Sequence, residues 1–205
     1  MKAMSDPLRV AHAEFGNDDP WRIPERCERV ALRRATDGSA PRLETSVAAY
    51  HDGAFLTIVF SGADDGVIAT HRAHDDPLWQ EDVVEVFLAP SSPQRYFEIE
   101  VNPIGTTFDA VIDSPDGVRS TMRTDLAWTC HGLFAAVRAT PEALDVVMRV
   151  PFAALAAQPH ENWLANFYRI DRSHHHDDEF TAWQPTMKTP PDFHVPAAFG
   201  RLHFE

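Results

Sequence analysis

With 205 residues the chain is long enough to bury a sizeable core, and one domain spanning residues 1–205 is the expected organisation. An apolar fraction of 44% and a charged fraction of 24% are typical of a soluble globular protein. The formal net charge of −13 argues against nucleic acid and anionic membranes as partners, because both would repel the chain.

The N-terminal segment, residues 1–15, is mixed polar and charged and lacks the apolar stretch of a secretory signal. No apolar run approaches the roughly 20 residues that a membrane-spanning helix requires. We therefore expect a cytoplasmic protein, with the reservation that a leader removed ahead of this numbering would leave no trace in it. Residues 1–20 are expected to form an N-terminal arm or an unshared first strand.

The two cysteines, Cys27 and Cys130, lie far apart in sequence and form neither a CxxC motif nor a zinc-binding spacing. Two free thiols in a reducing compartment are the expected state, and a single long-range disulfide is the alternative.

Most of the chain alternates apolar and polar residues, which is typical of half-buried strands. The strand-like segments are residues 54–60, 83–88, 96–101, 106–112, 133–139, 144–150, 164–170 and 201–204. Only residues 151–157 indicate a helix, because Pro151 begins an Ala/Leu-rich run that Pro159 ends. We predict an all-β fold, an antiparallel two-sheet β-sandwich of the jelly-roll kind with one short helix.

An indole directly precedes a strand that carries a carboxylate. Trp79 ends a polar loop, and Glu85 lies among apolar residues of the predicted strand 83–88. An indole can cover the apolar face of a pyranose ring, and a carboxylate accepts hydrogen bonds from its hydroxyl groups. The pair is therefore a candidate sugar site. The alternative is that Trp79 lies at the edge of the core and Glu85 pairs with an arginine.

The next predicted strand presents Tyr96 and two further acids, Glu98 and Glu100, on one side, because they alternate along it. Neighbouring strands could bring these acids close to Glu85 as a floor that reads sugar hydroxyls. The alternative is an ordinary solvated face or a carboxylate–arginine pair. Further candidates for polar contacts with a ligand are Asn102, Asn166, Tyr168 and Arg169.

Close carboxylates also allow a glycoside-processing enzyme. Such an enzyme needs two acids about 5 Å apart for retention, or about 6.5–9.5 Å apart for inversion. One of the two also needs a raised pKa. The sequence supplies neither fact.

Three acidic or histidine-rich segments are candidates for metal binding. Residues 174–179 begin with three histidines and end with three acids, which suits a transition metal or a hard cation, although neighbours in an extended loop point in different directions. Asp64 with Asp65, and residues 109–113, are calcium candidates whose alternative roles are in turns and strand ends. The sequence assigns no metal ligands.

An ordered set of motifs resembles the family 9 carbohydrate-binding modules and the stand-alone family 9-like proteins. Besides the segment around Trp79, the set comprises residues 96–105, 150–155, 163–171, 182–186, 193–196 and 199–204. The resemblance covers about residues 45–205. Residues 174–179 have no counterpart in the family pattern, and the chain as given has no catalytic domain attached.

The resemblance implies a β-sandwich with a sugar site at its loop end, where two tryptophans clamp a terminal sugar. Trp79 and Trp183 match the two tryptophan positions, and Glu85 matches a hydrogen-bonding acid. Trp21, Trp128 and Trp163 are expected in the core. Structural calcium is possible in the family, but no cofactor is required for binding.

We therefore expect a non-catalytic protein that binds a mono- or oligosaccharide. Two alternatives stay open besides glycoside processing. One is a module that docks another protein through the same loops. The other is a haem-binding domain of the DOMON type, for which the available axial ligands are His71, His74, His131, His194, Met122, Met148 and Met187.

Overall fold

The computed structural model describes residues 6–15, 19–159 and 163–205, which form fourteen β-strands and three short 3-10 helices. The strands are β1 (Leu8–His12), β2 (Arg29–Ala31), β3 (Arg33–Arg34), β4 (Thr45–His51), β5 (Phe55–Ala63), β6 (Val83–Ser92), β7 (Arg95–Val101), β8 (Thr107–Asp113), β9 (Arg123–Asp125), β10 (Phe134–Thr140), β11 (Ala143–Pro151), β12 (Trp163–Asp171), β13 (Glu179–Ala182) and β14 (Gly200–Phe204). The 3-10 helices are Leu78–Gln80, Arg119–Thr121 and Pro196–Ala198. The predicted all-β class is confirmed.

All fourteen strands belong to one curled sheet with the main order β10-β11-β5-β4-β1-β14-β12-β6-β7-β8-β9. β1 lies in the middle and pairs in parallel with both neighbours, β4 and β14. The other recorded pairs along this order are antiparallel. The prediction of an antiparallel two-sheet sandwich is not confirmed, because β1 supplies backbone hydrogen bonds on both sides and joins the two halves into a mixed sheet.

The N-terminal arm expected over residues 1–20 lies partly outside the described residues. Where the structure describes it, residues 8–12 form β1, so this part of the chain is a central strand and not an arm or an unshared strand. Leu8 and Val10 are buried there, which explains why the strand is retained at the centre of the sheet.

The main core fills the space that the curled sheet encloses. It contains Ile58 of β5 and Met148 of β11 from one half, and Val86 of β6 and Phe167 of β12 from the other. Trp163 is fully buried in this cluster as expected, while Trp128 packs against it with partial burial.

A second apolar cluster lies on the outer face of the half formed by β6, β7, β8 and β12. Phe87, Phe108 and Tyr168 belong to it, and Leu78 and Phe193 cover it from two loops. This half of the sheet is therefore buried on both faces. Because both faces are buried, β6 reads as a nearly continuous apolar run, Val83 to Ala89, interrupted by Glu85.

The prediction of a short helix over residues 151–157 is wrong. The segment forms successive turns with 3.1–3.2 Å bonds such as Ala154 N to Pro151 O and Leu155 N to Phe152 O. Phe152 and Leu155 are buried in the main core, and Ala156 adopts a left-handed φ of +49°. Tight turns are enough to bury two side chains that are three residues apart. Ala156, the residue with the left-handed φ, ends these turns before an α-helix forms.

Cys27 and Cys130 are both free, as expected. Burial raises the pKa of the Cys130 thiol to about 12, so it behaves as a small apolar group. Among the described residues, no helix has the length and apolar character that a membrane crossing requires.

Candidate functional site

A cavity of about 470 Å³ opens on the outer face of β6, β7, β8 and β12. This volume falls within the roughly 300–1,000 Å³ that is typical of small-molecule sites. Its lining comprises Trp79, Glu85, Glu98, Phe108, Arg119, Thr124, Leu126, Ile170, Arg172, Phe180, Pro191, Asp192, Phe193 and His194. Aromatic side chains and charged groups thus face the same space.

The floor of the cavity is built from strand register. Glu85 of β6 lies directly opposite Glu100 of β7, and Glu98 is two residues further along the same face of β7. One carboxyl oxygen of each acid lies within 4.8 Å of the others. All three are buried, and among the described residues one oxygen of Glu85 has no hydrogen-bond partner. Glu100 receives no hydrogen bond from a backbone or basic group, and its carboxyl interacts with that of Glu98, which can share a proton with it. We call these three residues the acid floor; Glu85 and Glu98 line the cavity, whereas Glu100 is fully buried behind the lining.

Burial raises the pKa of all three acids in the acid floor. Glu98 reaches about 7, chiefly because it is removed from water. The pKa values of Glu85 and Glu100 also lie well above the ordinary range, first through burial and then through the negative charge of the neighbouring acids. At neutral pH, much of the acid floor is therefore protonated.

This arrangement predicts that the folded protein loses stability as the pH rises. The folded state binds more protons than the unfolded chain between the ordinary carboxyl pKa of about 4.3 and about 7, so the free energy of unfolding falls through this window. We expect a difference on the order of 2 kcal/mol between pH 5.5 and pH 8, measured by urea unfolding. Glu100→Gln, which stays neutral, should flatten this dependence and stabilise the protein at pH 8. An equally steep dependence in Glu100→Gln would contradict a protonated floor.

The walls of the cavity are aromatic. The Trp79 side chain is 43% exposed and packs edge-to-face on Phe108, with ring centroids 5.3 Å apart. Phe193 stacks on Tyr168 at 4.2 Å and meets Phe180 at 6.1 Å. An exposed indole supported from one side offers its remaining surface to a ligand.

Two features fix the position of Trp79. Leu78 is fully buried in the second apolar cluster, which anchors the short 3-10 helix. Arg172 donates a 2.8 Å hydrogen bond from Nη2 to the carbonyl oxygen of Trp79, and its Nη1 pairs with Asp178 at 2.7 Å. The backbone of Trp79 is thus held while its ring stays accessible.

The rim of the cavity carries positive and neutral donors. Arg119 pairs with Asp192 at 3.2 Å, and both line the opening. His194 Nδ1 lies 2.8 Å from the Tyr96 hydroxyl, and its Nε2 lies 3.8 Å from Glu98. Burial lowers the pKa of His194 to about 4, so the ring is neutral at pH 7 and both donates and accepts hydrogen bonds.

Trp183 does not line this cavity. Its side chain is 8% exposed, belongs to the main core and stacks on Phe167 with centroids 5.4 Å apart. Phe167 faces the enclosed side of the sheet, whereas the cavity lies on the outer face. The expected clamp between Trp79 and Trp183 is therefore not formed, because burial of the second indole places it across the sheet.

Three of the other predicted polar residues stabilise the fold. Asn102 closes a turn, accepting from Ile104 N and Thr106 N. Asn166 bonds both the amide and the carbonyl of Gln184. Through these hydrogen bonds both asparagines hold loops in place, and neither asparagine lines the cavity.

Arg169 is also occupied within the fold. Its guanidinium is buried and pairs with Asp64 at 2.9 Å and Asp171 at 2.7 Å. It also donates to Thr45 and to the carbonyl of Ala63. Of the residues predicted to bind the ligand, Trp79, Glu85 and Glu98 line the cavity.

The carboxylates expected to hold calcium are largely taken by arginines. Asp64 pairs with Arg169, and Asp65 pairs with Arg42. Residues 174–178 are exposed, and Glu179 accepts from the backbone of residues 42 and 43. Among the described residues, two groups of three could hold a metal ion. They are the acid floor and a group on the other side of β8, formed by His74, Asp75 and Asp109.

The cavity does not gather the candidate axial ligands for haem. Met148 is buried in the main core and Met187 is 56% exposed. Of the candidate histidines and methionines, His194 alone lines the cavity. The cavity therefore offers no described pair of axial ligands.

Sequence reasoning missed the rest of the lining. Arg119, Arg172 and Phe180 belong to none of the motifs noted in the sequence. They reach the cavity from separate loops and strand ends. Phe193 and His194 lay within one of the quoted motifs but received no role as sugar contacts. The proline-rich stretch around Pro191 was the available signal that this loop folds back over the sheet.

The protein is all-β, and the outer face of its curled sheet carries a cavity of a size typical of small-molecule sites. Residues 34–204 match the model of a family described as Carbohydrate-binding family 9. The chain therefore belongs to carbohydrate-binding family 9, which is a family of non-catalytic modules. A search of curated proteins finds no match to this chain.

Solved structures share the fold at low sequence identity. A candidate carbohydrate-binding protein from Bacteroides uniformis ATCC 8492 has a TM-score of 0.72 at 21% identity, covering 87% of each chain. A family 9 module from Caldicellulosiruptor kristjanssonii in complex with cellotriose has a TM-score of 0.68 at 13% identity, covering 98% of this chain and 94% of the other. The same source gives a family 9 module in complex with glucose, with a TM-score of 0.66 at 13% identity, covering 98% and 96%.

Proposed function

We propose that this protein binds a mono- or oligosaccharide in the cavity between Trp79 and the acid floor. The observation that carries the proposal is an exposed indole in one cavity with two buried acids, Glu85 and Glu98, one oxygen of Glu85 having no hydrogen-bond partner among the described residues. Family membership, and neighbours solved with cellotriose and glucose, support a saccharide as the ligand.

The aromatic walls of the cavity suit the apolar C–H face of a sugar ring, and the acid floor suits its hydroxyl groups. The indole of Trp79 covers the apolar C–H face of the ring, with Phe180 and Phe193 as further aromatic walls. The acid floor bonds the hydroxyl groups, and a protonated carboxyl both donates and accepts, which matches a hydroxyl. A ligand hydroxyl would thereby satisfy the Glu85 oxygen that has no hydrogen-bond partner among the described residues of the protein.

The acid floor supports binding better than hydrolysis. Its carboxyl oxygens are within 4.8 Å, close to the spacing of about 5 Å in retaining glycosidases. Such an enzyme needs one ionised nucleophile beside one protonated acid, so the two pKa values must be pushed apart. Here the hydrogen bond between Glu98 and Glu100 lowers the pKa of Glu98 and raises that of Glu100, but burial still holds the pKa of Glu98 at about 7, so even this acid is only partly ionised at pH 7. Glu100, the acid with the more strongly raised pKa, does not line the cavity.

Calcium is a separate proposal. The acid floor is the described all-oxygen group that suits this hard cation, because three carboxyl groups supply part of the 6–8 oxygen ligands it takes. An ion there would leave positions for sugar hydroxyls. Calcium would then compete with protons, so its effect should grow as the pH rises.

Fluorescence titration tests the sugar proposal. We expect glucose, cellobiose or cellotriose to give a saturable change in intrinsic tryptophan fluorescence, since Trp79 is the exposed indole at the cavity. Glu85→Leu should weaken binding several-fold, because it removes the hydrogen-bonding group from the floor while keeping a similar size. Titrations with and without calcium at pH 8 test the ion. A folded protein that gives neither fluorescence change nor calorimetric heat with the panel would overturn the proposal.

A further inference from the structure

A second group of ligating side chains lies outside the sugar cavity. His74 and Asp75 belong to the loop between β5 and β6, and Asp109 belongs to β8. Asp109 is 1% exposed and points to the opposite face of β8 from Phe108, which lines the cavity. We propose that His74, Asp75 and Asp109 bind a divalent transition-metal ion such as Zn²⁺ or Co²⁺.

The distances fit such an ion. His74 Nε2 lies 3.4 Å from Asp75 Oδ1 and 3.7 Å from Asp109 Oδ2, and the three ligand atoms lie within 4.8 Å of one another. These separations are long for a hydrogen bond. Ligands bound at 2.0–2.1 Å in a tetrahedral arrangement lie about 3.3 Å apart, so small adjustments would centre an ion between them.

Two of the three ligands, His74 and Asp109, are also oriented by a partner on their far side. His74 Nδ1 lies 3.0 Å from the carbonyl oxygen of Thr107. A proton on Nδ1 completes that bond and leaves the Nε2 lone pair directed at the two carboxylates. Cys130 N donates to Asp109 Oδ1 at 3.2 Å, which leaves Oδ2 facing His74. A histidine fixed by a backbone carbonyl and a carboxylate fixed by an amide are typical outer supports of metal sites.

The ligand set selects the class of ion. One imidazole and two carboxylates with room for solvent suit zinc and its neighbours, whereas calcium prefers oxygen ligands alone. The metal would also compensate the buried charge of Asp109. An imidazolium paired with two carboxylates would do the same, and the experiment must separate these two states.

A metal here would brace the loop that presents Trp79. Asp75 N bonds the carbonyl of Thr107 at 3.2 Å, and Asp109 N bonds the side chain of Asp75 at 3.3 Å. Trp79 follows four residues later and contacts Phe108, the neighbour of Asp109. The metal would thus be structural, and it does not depend on the identity of the sugar.

The exposed run His174, His175 and His176 is a competing site for added metal. The background for the experiment is therefore the full chain with all three changed to alanine. We expect this protein to bind one equivalent of Co²⁺, with visible d–d bands of a low-coordinate site, and its melting temperature to rise. Zn²⁺ should displace the Co²⁺, and calcium should not.

Two variants in that background complete the test. The His74 side chain is 44% exposed and outside the apolar clusters, so His74→Ala should fold normally yet bind Co²⁺ at least tenfold more weakly. Asp75 has a left-handed φ of +66°, which asparagine also adopts, so Asp75→Asn changes the ligand without straining the turn. Lack of stoichiometric Co²⁺ binding in the background protein, or unchanged binding in both variants, would leave the ion pair as the explanation and overturn the metal site.

Discussion

Replacing Trp79 with alanine should weaken saccharide binding by about tenfold or more, or about 1.4 kcal/mol, while leaving the fold intact. The side chain is 43% exposed and lines the cavity, so its removal deletes the surface that would cover the sugar ring. Its neighbour Leu78, and not the indole, anchors the loop in the apolar cluster. Isothermal titration calorimetry with the saccharide that binds best measures the loss.

Trp79→Phe is the matched control, since it keeps an aromatic face and should retain part of the affinity. Urea unfolding of both variants should show a loss of stability within about 1 kcal/mol, as expected for a half-exposed side chain. Unfolding of Trp79→Ala with unchanged residual affinity would show that Trp79 serves the core and that the ligand contacts other residues.

Replacing Trp183 with alanine should destabilise the fold, whereas the Trp79 variant should lose binding. The indole is buried in the main core, stacked on Phe167. Its six-membered ring also lies so close to Gly200 that a Cβ there would come within 2.5 Å. Truncation to alanine leaves a cavity, so the free energy of unfolding should fall by about 3–5 kcal/mol. Denaturant unfolding measures the loss.

Gly200→Ala is an independent check on the same packing. The added methyl group would collide with Trp183, so this variant should also be destabilised, and the double variant with Trp183→Ala should be less damaged than the sum of the two. If Trp183→Ala is stable but no longer binds saccharide, the indole faces the ligand and the two-tryptophan clamp is correct after all.

The sequence was most informative where one local pattern is tied to one structure. Alternation of apolar and polar residues predicted β5, β7, β8, β10, β11, β12 and β14 to within three residues at each end, and β6 with a later end. β1 and β4 were missed, although both are largely buried. Both strands are buried at most positions and so lose their alternation, and the parallel pairing of β1 with distant segments leaves no local turn signal. For β4 the Asp52-Gly53 turn into β5 was an available signal.

The site was only partly predictable for a related reason. Trp79, Glu85 and Glu98 were singled out as an indole and carboxyl groups near strands, and the structure places all three at the cavity. Arg119, Arg172 and Phe180 come from distant segments that meet only in the folded chain. The family motifs assigned Trp183 to one of the two tryptophan positions, but they did not specify which face of the sheet its side chain occupies.

The amino-acid sequence by itself determined the all-β class, the family and the residue types available to hold a sugar. Tertiary structure alone decided that β1 joins the two halves in parallel, that Trp183 packs inward, and that three acids converge on one floor. The physical reason is that strand alternation has a period of two, so a shift of one residue exchanges the faces. Register and long-range pairing fix that phase, and they depend on contacts between residues far apart in the chain.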